Sequence, residues 1–198
     1  MQQLQIIVLL KNRFCRHISL CKKFNMSISA VVKEDIPALV NLINSAYRGE
    51  ASTKGWTTEA HLLKGDQRTD KEELQKLIGT SDAVMLKYIN EGGELTGCVY
   101  LKQNSHSIYL GMLTVSPLAQ SQGIGKKLLA EAENYARKMN CSAINMTVIS
   151  VRDELINWYQ RHGYQPTGET KPFPVDHQFG IPSQPLEFIV LEKRIAQQ

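Results

Sequence analysis

Residues 110 to 127 read Leu-Gly-Met-Leu-Thr-Val-Ser-Pro-Leu-Ala-Gln-Ser-Gln-Gly-Ile-Gly-Lys-Lys: an apolar run, a proline, then Gln120-x-x-Gly123-x-Gly125 at the mouth of a helical pattern. A strand that hands over to a helix through glycines is a built anion site. Glycine lets backbone N–H groups approach an oxyanion, and the unpaired amides and dipole of a first helical turn favour negative charge there. A pyrophosphate fits that description. Two rival phosphate motifs do not fit the spacing. A P-loop needs four residues between its glycines and a closing Lys-Ser/Thr, and a dinucleotide fingerprint needs a third glycine where Leu128 stands. Taken alone, the two glycines also suit a plain tight turn.

The flanking sequence adds the context. From Ile124 the apolar positions Leu128, Leu129, Ala132, Tyr135 or Ala136, and Met139 recur at steps of three and four between lysines and glutamates, which predicts a one-sided helix. Residues 143 to 148 then read as a strand, so strand, turn, helix and strand form a crossover between parallel neighbours. Asp153 to His162 predicts a second helix, closed by Gly163 and carrying Tyr159. Upstream, Ile28 to Val32 reads as a strand, Asp35 to Tyr47 and Asp70 to Ile78 as helices, and Ala83 to Ile89 with Leu95 to Lys102 as a hairpin. The stretch from Arg48 to Arg68, rich in glycine and charge, is too polar for a core element and too long for a plain connection. It reads as exposed surface, with Trp56 as an apolar wall. Near the end of the chain, Pro172, Pro174, Pro182 and Pro185 argue for a long, stiffened loop before a last strand from Leu186 to Leu191.

These residues resemble the GNAT family of N-acetyltransferases. Its Val-x-Pro-x-x-Gln/Arg-x-x-Gly-x-Gly/Ala signature is matched by Val115, Pro117, Gln120, Gly123 and Gly125, and its later aromatic-Tyr helix by Trp158-Tyr159 followed by Gly163-Tyr164. The resemblance spans roughly residues 28 to 195. It implies an α/β (α+β) fold: a central mixed, twisted sheet of seven strands flanked by about four helices. It also implies acetyl-CoA as acyl donor, no metal, and an acetyl group passed to a primary amine of a small molecule or a polypeptide by direct attack on the thioester. The donor would lie along Leu113, Thr114 and Val115 and on the turn Gln120, Ser121, Gln122, Gly123, Ile124, Gly125 and Lys126. Tyr159 would be the acid for the departing thiolate, its ordinary value near 10 being close to that of a thiol. The stretch from Arg48 to Arg68 would be acceptor-side surface with Trp56 as its apolar wall, and Phe173, His177 and Phe179 would border the acceptor pocket or form a flap over the sheet edge. Two departures stand out: Ser121 where many relatives have glycine, and Arg152 where many have asparagine.

No acid lies between His106 and Val115, so the strand before the turn offers no general base. Glu50, Glu59, His61, His177 or a water chain are the candidates. A non-catalytic module that binds acyl-CoA and regulates is the alternative to an enzyme, since a fold alone does not decide function.

Composition bounds these readings. With 198 residues the chain is long enough for one sizeable core and does not require two domains. The net charge of +4 arises from Lys11, Arg13, Arg16, Lys22 and Lys23, and the remaining 18 basic and 19 acidic side chains leave about −1, no footprint for nucleic acid. Residues 1 to 25 read as a weakly anchored N-terminal extension to a domain over 26 to 198. Leu4 to Leu10 is too short to span a membrane, and a cytoplasmic location is expected, or a mitochondrial one if the extension is a transit peptide. Cys15, Cys21, Cys98 and Cys141 lack metal-ligand spacing, and Cys98 reads as a buried thiol. A homodimer is the commonest assembly to expect.

Overall fold

The computed structural model describes residues 26 to 174 and 178 to 196. The extension over residues 1 to 25, with Cys15 and Cys21, and His177 lie outside the described residues. In chain order the elements are β1 (Ser27–Ala30), α1 (Ile36–Tyr47), α2 (Gly49–Ser52), β2 (Leu63–Lys64), α3 (Lys71–Ile78), β3 (Ala83–Ile89), β4 (Leu95–Asn104), β5 (Ser107–Val115), α4 (Ile124–Lys138), β6 (Ala143–Ile149), α5 (Asp153–Arg161), β7 (Gln165–Pro172), β8 (Ile181–Pro182) and β9 (Glu187–Arg194). Seven strands form one sheet in the order β1-β3-β4-β5-β6-β9-β7. All its neighbours run antiparallel except β5 and β6, which the α4 crossover makes parallel.

Helices cover both faces, and β4 shows why. Its residues from Thr96 to Leu101 are all buried. Alternation sends Val99 and Leu101 to one face, where Leu128, Leu129, Ala132 and Ala136 of α4 pack with them. Cys98 and Tyr100 go to the other face, against Leu39 and Ile43 of α1 and Leu74 of α3. A strand covered on both sides reads as a continuous apolar run. Helix α4 lies close to the sheet because of Gly97, where a Cβ would stand 2.9 Å from Ile124 Cγ2 and 3.1 Å from Leu128 Cδ1. The Cys98 thiol is buried and pushed up to about 12 by loss of water, so it stays protonated at neutral pH.

The sequence reading differs from the structure at two places. The stretch from Arg48 to Arg68 is not all surface: it contains α2, and Arg48, Ser52, Leu62 and Leu63 are buried. The proline-rich segment is not a plain loop either. Strand β7 continues to Pro172 on the sheet edge, and Ile181–Pro182 pairs with Leu63–Lys64 in a second, two-stranded sheet. Pro182 is tolerated there because such a short ladder asks little of its neighbours. Leu62, Leu63 and Ile149 with Phe173 and Phe188 make a small third core beneath this pairing. Among the described residues, no helix is long and apolar enough to cross a membrane.

Candidate active site

Strand β5 ends at Val115, a single 3₁₀ turn follows at Pro117–Ala119, and α4 starts after Gly123. Gly123 has φ +77, and a Cβ there would meet nothing within 4 Å, so glycine is needed for its conformation alone. Gly125 is needed for space, since a Cβ would stand 3.3 Å from two ring atoms of Trp158. Ser121 holds φ +64, in the left-handed region that a Cβ disfavours. No side chain caps α4 and no acid lies in its first turn. Its first amides are therefore open to an anion, as a pyrophosphate would require.

A cavity of about 380 Å³ lies against this turn. Leu113, Val115, Gln120, Ser121, Gly123, Ile124, Gly125 and Lys126 line it from the sheet and turn, and Trp158, Tyr159 and His162 from α5. Thr114 and Gln122 do not line it. Thr114 is buried and its hydroxyl donates to the Met112 carbonyl at 3.0 Å, while Gln122 is exposed. Trp56 sits on this cavity, 6.1 Å from Trp158, and not beside the chamber described next. Trp56, expected as an apolar wall for the acceptor, thus lines the cavity against the glycine turn. The cause is Gln120, whose side-chain oxygen accepts from Trp56 N–H at 2.9 Å while its nitrogen donates to Thr57 Oγ1 at 2.9 Å.

A wedge opens beside the turn. Strands β5 and β6 pair only from Ser107/Ala143 to Tyr109/Asn145. Beyond that, β5 carries one extra residue against β4 between Gly111 and Thr114, and Met112 takes φ +47. Such a bulge bends a strand away from its neighbour. A second cavity of about 280 Å³ fills the gap, bounded by Gly111 to Leu113 on one strand and Met146 to Ile149 on the other. Both cavities touch Leu113, Leu155 and Tyr159, so they meet there.

Tyr159 stands at the meeting point. Burial pushes its phenol well above its ordinary value of 10, Tyr47 and Tyr164 nearby push the same way, and the Arg152 guanidinium opposes them. It is a protonated donor at any physiological pH. Its ring is fixed edge-on by Trp158 at 5.0 Å and Tyr164 at 5.8 Å. Tyr47, which sequence reasoning missed because nothing marks it out at the end of an amphipathic helix, donates to the Leu113 carbonyl at 2.6 Å. Burial, with the Glu59 carboxylate adding to it, pushes Tyr47 up to about 12.

The stretch from Arg48 to Arg68 reaches the second cavity through charged side chains. Arg48 and Arg152, both buried, flank Glu59: Arg48 donates to one carboxylate oxygen, and Arg152 Nη1 lies 3.9 Å from the other. Arg152 also donates to the carbonyls of Thr57 at 3.2 Å and Trp56 at 3.3 Å. The residue that departs from the GNAT pattern is a strap for this loop. Glu59 and Arg68 line both the second cavity and a third of about 210 Å³, which Phe173 and Phe179 help to close. Glu50 and His61 are exposed and line none of the three. His162 stacks on Trp158 at 4.2 Å, with Nδ1 2.8 Å from the Trp158 carbonyl. Among the described residues, no group of three His, Cys, Asp or Glu side chains is placed to hold a metal ion.

Comparison with known proteins agrees with this geometry. Residues 37–164 match the model of the acetyltransferase (GNAT) family. The uncharacterized protein YdhI of Bacillus subtilis is 27% identical over 77 residues, which are 39% of this chain and 47% of that one, so the chain spans less than half of that relative's length. In solved structures, the paia N-acetyltransferase of Thermoplasma acidophilum, in complex with coenzyme A, superposes with a TM-score of 0.62 at 19% identity, over 86% of this chain and 99% of that one. The yncA protein of Salmonella typhimurium, with its cofactor acetyl-CoA, gives a TM-score of 0.62 at 20% identity, over 88% of this chain and 96% of that one. With more than half of the chain matching the family model and the sheet and glycine turn in place, the chain belongs to the acetyltransferase (GNAT) family.

Proposed function

We propose that the chain is an acetyl-CoA-dependent N-acetyltransferase that moves an acetyl group to a primary amine by direct attack on the thioester. The observation that carries this reading is the meeting of two cavities at Leu113 and Tyr159, with an uncapped helix start lining one of them. Acetyl-CoA supplies the acyl group already activated as a thioester. The amides of the Gln120 to Lys126 turn would hold its pyrophosphate, and the end of β5 from Leu113 to Val115 would position its carbonyl towards the second cavity. An amine in that cavity attacks as the free base, having lost a proton to water. Nitrogen bonds to the carbonyl carbon, the carbon–sulfur bond breaks, and sulfur takes the Tyr159 proton. The proton released by the new amide nitrogen returns to the phenolate through solvent. Residues 26 to 198 would serve as one domain, with residues 1 to 25 an extension ahead of it.

A thiol-release assay with acetyl-CoA and a panel of primary amines tests the reading. Release of CoA that depends on the amine is expected. If the donor binds and no amine releases thiol above background, the chain is a binding module and not an enzyme.

A further inference from the structure

Arg68 is a guanidinium without a partner at the edge of the reaction chamber. It is half-buried, it lines both the second and the third cavity, and among the described residues its side chain makes no ion pair or hydrogen bond. Its backbone is held firmly. Asn44 Oδ1 accepts from the amides of Arg68 at 2.6 Å and Thr69 at 3.0 Å, and Asn44 Nδ2 donates to the Thr69 carbonyl at 3.0 Å. The guanidinium also lies near enough to Tyr47, which bonds to Leu113, to oppose the rise of that phenol's pKa.

The other charges around the two cavities are already matched. Arg48 and Arg152 share Glu59, Arg152 also pairs with Glu154 at 2.9 Å, and Glu73 accepts from Thr69 Oγ1 at 2.6 Å. Arg48, Arg68 and Arg152 stand against Glu59 and Glu73 in the described walls, and of these three guanidiniums Arg68 is the one with no ion pair or hydrogen bond of its side chain among the described residues. Arg48 lines the third cavity alongside Arg68, but its unpartnered Nε is closed off from solvent, so the half-exposed Arg68 guanidinium carries the recognition.

We propose that the acceptor is a small primary amine carrying an oxyanion, a carboxylate or a group of like shape, on the same molecule, and that Arg68 is the residue that pairs with it. The proposal rests on the acetyltransferase reading and narrows it. Arginine presents a planar fork that matches a carboxylate bidentately. With its anion on Arg68, the amine end of such a molecule extends along the second cavity towards Leu113 and Tyr159. Volumes of about 280 and 210 Å³ are of the size of an amino acid and lie below the roughly 300–1,000 Å³ of pockets for drug-sized ligands. Glu59 is no site for a second ammonium group, because both of its oxygens face arginines.

The test compares alanine, methionine, phenylalanine and glutamate with their methyl esters, and with spermidine, as acceptors in the thiol-release assay. Esterification removes the anion and also makes the amine less basic, which by itself favours the ester. We expect each free acid to exceed its ester in kcat/KM by about tenfold or more, the worth of one charge-assisted pair. In Arg68→Met that gap should close, chiefly through KM for the free acid, and Arg68→Lys should restore part of it. Esters equal to or better than acids, spermidine better than both, or an unchanged gap in Arg68→Met would overturn the proposal. The comparison on the wild-type protein decides even if Arg68→Met does not fold. Thiol release from spermidine alone would sink this inference and leave the enzyme reading standing, whereas no release from any probe would end both.

Discussion

Gln120 and Trp56 are bound to each other across 64 positions of sequence, the Gln120 side-chain oxygen accepting from the Trp56 amide at 2.9 Å. The same side chain donates to Thr57 at 2.9 Å and lies 3.4 Å from the Val115 carbonyl. The glutamine of the glycine turn is thus spent inside the protein. It fastens the loop that walls the first cavity to the turn that would hold the phosphates. Gly55 makes this contact feasible, since a Cβ there would stand 2.8 Å from Gln120 Nε2.

Gln120→Ala should therefore act on donor binding through the loop. Losing two or three net hydrogen bonds at a half-exposed site predicts acetyl-CoA affinity weaker by about tenfold, with a modest fall in melting temperature. Calorimetric titration of acetyl-CoA into wild type and variant measures this. Equal affinity would show that the loop does not shape the donor site.

Gly125→Ala tests the close approach of the turn to α5. The added methyl would press on the Trp158 ring at 3.3 Å, and overpacking of this kind costs about 1–3 kcal/mol. Moving Trp158 also moves the Trp56 and His162 rings that touch it. Acetyl-CoA should bind about ten times more weakly, and tryptophan fluorescence, which reads only Trp56 and Trp158 in this chain, should report a changed response to the donor. A neutral result would mean that the cavity wall yields.

Tyr159→Phe removes the proposed acid and little else. Proton donation by a placed side chain contributes about 10²–10⁴ to rate, so kcat should fall by about a hundredfold or more while donor affinity holds. The wild-type pH profile carries a second check. The folded value lies well above 10, so the phenol is protonated below it and its contribution is lost only as pH rises past it. The rate should climb with amine deprotonation from pH 6 to 9 and show no falling limb from this residue. A falling limb near pH 8 that vanishes in Tyr159→Phe would contradict the geometry.

The glycine turn, α4 and the aromatic helix were legible in sequence because each is written within one local period. The position of Trp56 against the glycine turn is not legible in sequence, because the hydrogen bonds of Gln120 and Arg152 that pull its loop across join residues far apart in the chain. The pairing of Leu63–Lys64 with Ile181–Pro182 has two residues a side, too few for any alternation to show. The left-handed Met112 that opens the wedge is equally silent, since methionine is not a residue that marks such a conformation. Charge pairs such as Arg48 with Glu59 look in sequence like solvated surface groups. They become informative only when burial is known.

Tyr47 gives a stability prediction at high pH. Its folded value is raised to about 12 from an unfolded value near 10, so its contribution is complete below pH 10 and is lost as pH rises from 10 to 12. Cys98 behaves in the same sense from 9 to about 12. Urea unfolding between pH 9 and 11.5 should show falling stability, with a shallower fall in Tyr47→Phe. The variant also loses the bond to the Leu113 carbonyl and should be less stable at neutral pH by about 1 kcal/mol.

Glu59 holds two buried guanidiniums at once, and removing its charge should be the costliest polar change near the site. In Glu59→Gln, Arg48 and Arg152 would face each other with no anion between them, and breaking a buried pair from one side costs about 3–5 kcal/mol. Arg152 would keep Glu154, but that carboxylate is 54% exposed, so its pairing is screened by water and contributes about 0–1 kcal/mol. Glu154→Gln is therefore the matched control: one charge removed from the same arginine on the solvent side, with stability expected within about 1 kcal/mol of wild type. Urea midpoints of the two variants should differ widely. Because Arg152 also straps the carbonyls of Trp56 and Thr57, any folded Glu59→Gln protein should lose donor affinity along with stability, as Gln120→Ala does. Equal midpoints for the two variants would mean that Glu59 is hydrated in solution and that the loop is held without it, by Gln120 and the Arg152 bonds to the carbonyls.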